Sequence, residues 1–294
     1  MPTILSEPTY HQGPTQVTPD TYLIHEVQCT LGQPLCVYIN SAVILAEEPV
    51  LIDTGSRHNQ RAWLEDTFTL VDPMEVRWVF ISHEDADHVG NLDAVMEACP
   101  NATLLCNWAI VERHTNAFDF PLERCRWLDD GATFDAGDRQ MSVVRPPLYD
   151  SPTTRGLLDT KTGIYWAADC FATPVPGGEG ADNLARDVAE LDDEFWTNGM
   201  TMFAFYAIAP WLRLVDKDRF GVEVQRLSDL EISTIISAHS PLITGSKVAE
   251  ALATLRELPT VERPPAPDQS VLDLILATSQ PGWVPVATDS SGTH

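Results

Sequence analysis

The sequence predicts an α/β protein built as a sandwich of two sheets, and three observations carry that prediction. From Thr21 to His114, β-branched and aromatic runs alternate with segments of helical spacing. Strands in both halves of the chain end on side chains of the metal-ligand type: Asp53 and His83 in the first half, Asp169 and His239 in the second. The 294 residues, 44% hydrophobic and 21% charged, suffice for one large or two small globular domains.

Taken in order, Thr21–Val27, Leu35–Ile39, Ala42–Leu45 and Pro49–Ile52 are short β-rich runs separated by polar or glycine-bearing breaks, and read as antiparallel strands. Residues Asn59–Leu70 place Trp63, Leu64, Phe68 and Leu70 at helical spacing, and Val76–Ser82 is a buried strand. Asn91–Ala98 is helical, Thr103–Cys106 a strand, and Trp108–His114 begins another helix. Gly131–Gly137 is a turn-rich entry to a strand at Met141–Arg145, and Gly163–Ala168 is an apolar strand delivering Asp169. Asp182–Glu194 is acidic and helix-competent. Met200–Leu214 carries an apolar, aromatic helix pattern interrupted near Pro210. Ile232–Ala238 is a β-branched strand that delivers His239. Beyond Leu258, a proline-rich stretch, an apolar helix within Ser270–Leu276 and a Ser/Thr/Gly-rich flexible end are expected, which divides the chain into a main domain, 1–258, and a C-terminal helix and tail, 259–294.

With 18 basic against 43 acidic residues the formal charge is -25, which repels nucleic acid and anionic membranes and attracts cations. No run of 18 or more apolar residues occurs, and Met1–Pro19 is polar without an apolar leader core, so a cytoplasmic protein is expected. Six cysteines (29, 36, 99, 106, 125 and 170) are scattered without a CxxC pair and read as free thiols of the core. His25, His58 and His114 lack ligand-type neighbours, and His11 and His294 fall in expected tails.

The chemistry concentrates at His83-Glu84-Asp85-Ala86-Asp87-His88. Directly behind the apolar Val79-Phe80-Ile81-Ser82, this run packs four ligand-type side chains, His83, Asp85, Asp87 and His88, into one strand-to-helix turn. Imidazoles and carboxylates crowded this closely repel or lie desolvated unless a cation or solvent satisfies them, so a metal site is the simplest account.

Asp53-Thr54-Gly55 after Val50-Leu51-Ile52, the His83–His88 turn, Asp169 after Trp166-Ala167-Ala168, and His239 after Ser237-Ala238 together resemble, in order and spacing, the metallo-β-lactamase superfamily over roughly residues 20 to 250. The resemblance implies an αβ/βα sandwich of two mixed sheets flanked by helices, with a dinuclear metal site at one edge. Hydrolases of that superfamily usually read HxHxDH; here Asp85 replaces the middle histidine, which is similar to the HxExDH of the flavodiiron proteins and their flavin-free relatives, the oxygen-binding diiron proteins. Harder oxygen donors favour iron or manganese over zinc. The segment Tyr206-Ala207-Ile208-Ala209-Pro210, the run to Phe220 and Ile235–Leu242 also resemble the flavodiiron core. By that resemblance His83 and Asp85 serve one ion, Asp87 and His239 the other, and Asp169 bridges them; His88 either binds or stands aside. The family usually supplies one more histidine from the loop before the Gly163 strand, but this chain has none from 115 to 238; Tyr149 or Asp150 falls at that place.

The expected function is therefore a two-iron protein that binds or reduces O₂, or NO or peroxide. Electrons would come from an external donor, because the stretch after Leu258 is too short for a flavodoxin-like domain and no GxGxxG occurs. A homodimer is compatible with this reading, and Tyr149 is the candidate for a catalytic group. The alternative is a zinc or manganese hydrolase in which metal-bound hydroxide attacks an ester, thioester or lactone; a sensory module with a degenerate site is a third.

Overall fold

The computed structural model describes residues 10–29, 34–114, 122–177 and 183–279. Its first sheet runs in the order β1 (Tyr10–Thr18), β2 (Thr21–Cys29), β3 (Leu35–Ile44), β4 (Val50–Ile52), β5 (Trp78–Phe80), β6 (Thr103–Cys106) and β7 (Cys125–Trp127). Strands β1 to β4 pair antiparallel, and β4 to β7 pair parallel. The second sheet is built from β8 (Thr133–Asp135), β9 (Gln140–Val144), β10 (Gly156–Asp159) and β11 (Ile164–Trp166). The chain then returns through the two-residue β12 (Val175–Pro176), paired with β3, before β13 (Thr234–Ile236) and β14 (Ile243–Thr244) complete that sheet in the order β14-β13-β11-β10-β9-β8.

Parallel strands need crossovers, and here α1 (Gln60–Leu70), α2 (Leu92–Ala98) and α3 (Trp108–His114) supply them. Both faces of β4, β5 and β6 are covered, which explains their apolar runs. In β4 and β5, Leu51 and Val79 point at the helices, joining Trp63, Leu92, Val95 and Ile110. Val50, Ile52, Trp78 and Phe80 point the other way, against Met141, Val143, Leu157 and Trp166 of the second sheet. The outer face of that second sheet is covered by α4 (Asp193–Phe203), α5 (Lys217–Ser228) and α6 (Ser246–Glu257), through Trp196, Met200, Phe220, Val224, Ala251 and Leu255. The αβ/βα sandwich of two mixed sheets is thus present as expected.

Several elements differ from the sequence reading. The two runs Leu35–Ile39 and Ala42–Leu45 are one strand. The polar pair between them is buried and bonded: Asn40 Nδ2 donates to the carbonyls of Ser237 and Ser240, and Ser41 Oγ accepts from Trp63 Nε1. Of the acidic block Asp182–Glu194, Asp182 lies outside the described residues and the rest is not a helix before Asp193. Asp187 caps a single 3-10 turn, Val188–Glu190, and Asp192 caps α4 by accepting from Phe195 N, so aspartates expected inside one helix instead start two elements. Beyond Phe203 the helix widens into a π turn, Ala204–Ile208, and closes as a 3-10 turn that starts at Pro210.

His11 is not in a tail: it sits on β1, its Nε2 2.7 Å from Asp66 Oδ2. Cys29 and Cys36 are not free thiols. They face each other across β2 and β3 and form a disulfide, because antiparallel pairing brings to contact two residues seven positions apart. Past Leu258, the helix α7 (Gln269–Ser279) forms, with Ile275 buried, and Tyr206 Oη donates to the carbonyl of Pro264. The expected flexible end and His294 lie outside the described residues. Among the described residues, no helix is long and apolar enough to cross a membrane.

Candidate metal centre

The turn after β5 is held by the loop after β4. Asp53 is fully buried at φ 55° and accepts from Ser82 N and Ser82 Oγ, both at 2.7 Å, and from His88 Nδ1 at 2.8 Å. Positive φ is costly for residues with a Cβ, and Ala168, directly before Asp169, has φ 50° as well. Strained backbone therefore lies in the loops after β4 and β11, beside candidate ligands. The turn leaves no space for a side chain at Gly90, where a Cβ would come 2.4 Å from Arg57 N and 2.6 Å from the carbonyl oxygen of Gly55.

Three histidines converge through Nε2, and those of His83 and His88 are buried without a hydrogen-bond partner. His88 Nδ1 donates to Asp53, and His239 Nδ1 donates to the carbonyl of Tyr38 at 2.7 Å. Ser82 Oγ gives its proton to Asp53 and accepts from His83 Nδ1 at 3.1 Å. Each ring is thereby fixed in the tautomer whose Nε2 carries a lone pair. Four aspartates meet these nitrogens. His83 Nε2 lies 3.6 Å from Asp150 Oδ2, 3.7 Å from Asp169 Oδ2 and 3.9 Å from Asp85 Oδ2. His88 Nε2 lies 3.1 Å from Asp169 Oδ1 and 3.7 Å from Asp87 Oδ2. His239 Nε2 lies 3.3 Å from Asp87 Oδ2 and 3.4 Å from Asp169 Oδ1.

The two oxygens of Asp169 thus face different neighbours, Oδ2 towards His83 and Oδ1 towards His88 and His239. Ligand-type atoms group within 4.8 Å as His83, Asp85 and Asp150, as Asp87, His88 and His239, and as His83, His88 and Asp169. His83 Nε2, His88 Nε2 and Asp169 Oδ1 are buried without a hydrogen-bond partner. Such atoms are costly unless something else satisfies them, and bare imidazole nitrogens beside carboxylates are what a divalent cation takes.

The carboxylates draw positive charge, whether a proton or a cation, to these same nitrogens. Burial works against a charged His88, yet the carboxylates of Asp87, Asp169 and Asp53 hold its proton affinity well above the usual histidine range. Burial likewise opposes ionisation of Asp169, but His239, His83 and His88 push it well below the ordinary carboxylate value. His239 is raised to about 9, against its burial, by Asp169 and Asp87.

All six residues expected as ligands, His83, Asp85, Asp87, His88, Asp169 and His239, come together. At the loop position the structure brings in Asp150 and not Tyr149. Thr154 Oγ1 donates to Asp150 Oδ1 at 3.1 Å, which leaves Oδ2 for His83. The ring of Tyr149 instead lies 5.1 Å from Trp211 under the Arg145 guanidinium, lining a surface pocket of about 670 Å³. Glu84 was missed by sequence reasoning. Its carboxylate accepts from Ser151 Oγ at 2.8 Å and also meets Thr153 Oγ1 and Arg113, clamping the Asp150 loop to the histidine turn. Its place inside the ligand run was the only signal.

A four-layer sandwich with this constellation at the strand ends defines the metallo-β-lactamase-like class. Within it, the family described as "ODP family beta lactamase" matches residues 37–239, and the chain belongs to that family. A diflavin flavoprotein of Nostoc sp. (strain PCC 7120) is 25% identical over 207 residues, covering 69% of this chain and 33% of that protein. The anaerobic nitric oxide reductase flavorubredoxin of Pectobacterium atrosepticum is 26% identical over 133 residues, 45% of this chain and 26% of that protein. This chain therefore spans between a quarter and a third of these two relatives. Among solved structures, rubredoxin oxygen:oxidoreductase from Desulfovibrio gigas shares the fold with a TM-score of 0.69 at 16% identity, covering 83% of this chain and 61% of that one.

Proposed function

We propose that the chain is a two-iron protein that binds or reduces a small diatomic, O₂ or NO, with electrons delivered by an external donor. The observation that carries the reading is the cluster of bare, buried Nε2 atoms and carboxylates around Asp169. In this reading His83, Asp85 and Asp150 would hold one iron and Asp87, His88 and His239 the other, with Asp169 placed between the two groups, all within the main domain, residues 1–258. Iron in that position supplies one-electron chemistry toward a diatomic ligand.

The residues of the chain do the rest. Asp53, Ser82 and the Tyr38 carbonyl keep each imidazole in the ligating tautomer. Glu84 fixes the Asp150 loop. Asp85, with its side chain 58% exposed, is the most solvent-facing member of the cluster, while His83 and His88 are buried. The names of the relatives, a nitric oxide reductase flavorubredoxin and a rubredoxin oxygen:oxidoreductase, support diatomic substrates and an outside donor, and favour this reading over metal-hydroxide hydrolysis.

The test is metal analysis of the protein expressed with iron as the only added transition metal, followed by an anaerobic-to-air absorbance difference. About two irons per chain and an oxygen-dependent visible band are expected. Stoichiometric zinc acquired in spite of the iron supply, no such band, and turnover of an ester or lactone would refute the proposal.

A further inference from the structure

The two halves of the cluster are chemically unequal. Around His83 Nε2 stand three carboxylates: Asp150 at 3.6 Å, Asp169 Oδ2 at 3.7 Å and Asp85 at 3.9 Å. That half offers one nitrogen among oxygens. On the other side His88 and His239 both aim Nε2 at Asp87, and Asp169 Oδ1 lies 3.1 and 3.4 Å from them. That half offers two nitrogens. The inequality has two sources in the chain, Asp85 in the turn and Asp150 in the loop. His83 Nε2, fully buried and without a hydrogen-bond partner, is the polar atom aimed into the oxygen-rich half.

Imidazole favours iron and the later metals, whereas carboxylate and water suit manganese; on any one donor set, Mn²⁺ is the weaker binder of the pair. Exchanging nitrogen for carboxylate narrows the disadvantage of manganese, and it narrows more in the half that has lost more nitrogen. Solvent access acts in the same direction. The Asp85 side chain is 58% exposed, so water can complete the shell of a hard ion there, while His88 is buried and His239 nearly so.

We infer that the centre is built for two different metals, with manganese entering the His83–Asp85–Asp150 half and iron the Asp87–His88–His239 half when both ions are available. The inference rests on the two-metal redox reading above and refines its metal content: two irons where iron alone is supplied, one manganese and one iron where both are. Asp150 is then the residue that sets the selectivity, by standing where a histidine would equalise the halves.

The experiment grows the full chain in media of rising manganese-to-iron ratio. Each position is then read by anomalous diffraction at the manganese and iron edges, with metal content and electron paramagnetic resonance on the same samples. Manganese is expected first at the His83 half, with iron retained beside His239 and a spin-coupled mixed-metal signal at intermediate ratios. In Asp150→His, the manganese-to-iron ratio at that half should fall about tenfold, the scale on which ligand-shell changes alter metal affinity. Equal manganese-to-iron ratios at the two positions throughout, or manganese entering beside His239 first, would overturn the inference while leaving a two-metal redox centre in place. Zinc at both positions would overturn the redox reading itself. The wild-type diffraction decides the matter even if the Asp150→His chain does not fold.

Discussion

Asp53 and His88, 35 positions apart in the chain, form a fully buried hydrogen bond of 2.8 Å that joins the loop after β4 to the last residue of the ligand run. The same carboxylate takes both donors of Ser82, so one side chain sets the orientation of His88 directly and of His83 through the serine hydroxyl. Asp53→Asn separates charge from shape, since asparagine tolerates the φ of 55°. Metal affinity measured by competition with a chelator should drop ~10-fold or more, and urea unfolding should show a loss of about 2–3 kcal/mol from disruption of a buried charged network. Unchanged affinity in a folded variant would show that Asp53 does not orient the site.

Glu84 gives a second prediction. Because it accepts from Ser151 and Thr153 and pairs with Arg113, Glu84→Ala should free the loop that carries Asp150. Hydrogen exchange in residues 148–154 should quicken, and the affinity for the first of two metals lost should weaken about tenfold. Exchange rates equal to wild type would show that the loop holds itself.

The pH dependence of stability has a source outside the cluster. His25 is half-buried, with Nδ1 2.8 Å from Asn40 Oδ1, and burial lowers it to about 4 from its ordinary 6.5, with Arg186 adding to the effect against the Asn40 hydrogen bond. Between those values the unfolded chain binds a proton that the folded chain refuses. The stability contributed by neutral His25 is therefore complete above pH 6.5 and declines as pH falls toward 4. The loss should be about 2 kcal/mol, allowing for partial solvent access. His25→Gln should flatten this part of a denaturation midpoint profile measured from pH 7 to pH 4.5; an identical slope in the variant would assign it elsewhere.

The Cys29–Cys36 disulfide closes the end of the β2–β3 hairpin. Closing so short a loop stabilises by about 2 kcal/mol through the unfolded chain, so reduction or Cys29→Ser/Cys36→Ser should lower the thermal midpoint by several degrees. Thiol labelling of the unfolded protein before and after reduction should differ by two groups. Equal labelling would mean the pair is reduced in solution.

Much of this was legible in the sequence, and most of the exceptions share a cause. The parallel strands β4 to β6 and their crossover helices announced themselves because both strand faces are apolar; Thr103–Cys106 is the strand that was expected, and the helix expected to begin at Trp108 begins there. The clustering of His83, Asp85, Asp87 and His88 was legible because proximity in sequence became proximity in space. Most of what escaped depended on partners far along the chain. Asn40 reads as a break in a strand until Ser237 and Ser240 are brought to it. Cys29 and Cys36 read as thiols until register pairs them. Strands β7 and β10 are short and carried little local signal, whereas α5 and α6 went unread although Phe220, Val224 and Leu227, and Val248, Ala251 and Leu255, stand at helical spacing. Tyr149 and Asp150 are neighbours whose composition cannot say which faces inward; backbone direction, with Thr154 on one side and Trp211 on the other, decides it.

The seam between the two sheets bears on the life history of the molecule. One sheet contributes the His83–His88 turn, the other Asp150, Asp169 and His239, and links such as Asn40 N to the carbonyl of Ala238 form only once the sheets have docked. A nascent chain emerging from the ribosome in N-to-C order therefore owns half a site until its second sheet has been synthesised. On the two-metal proposal, ions would be taken on only after both sheets have docked, so loading would follow folding and not guide it.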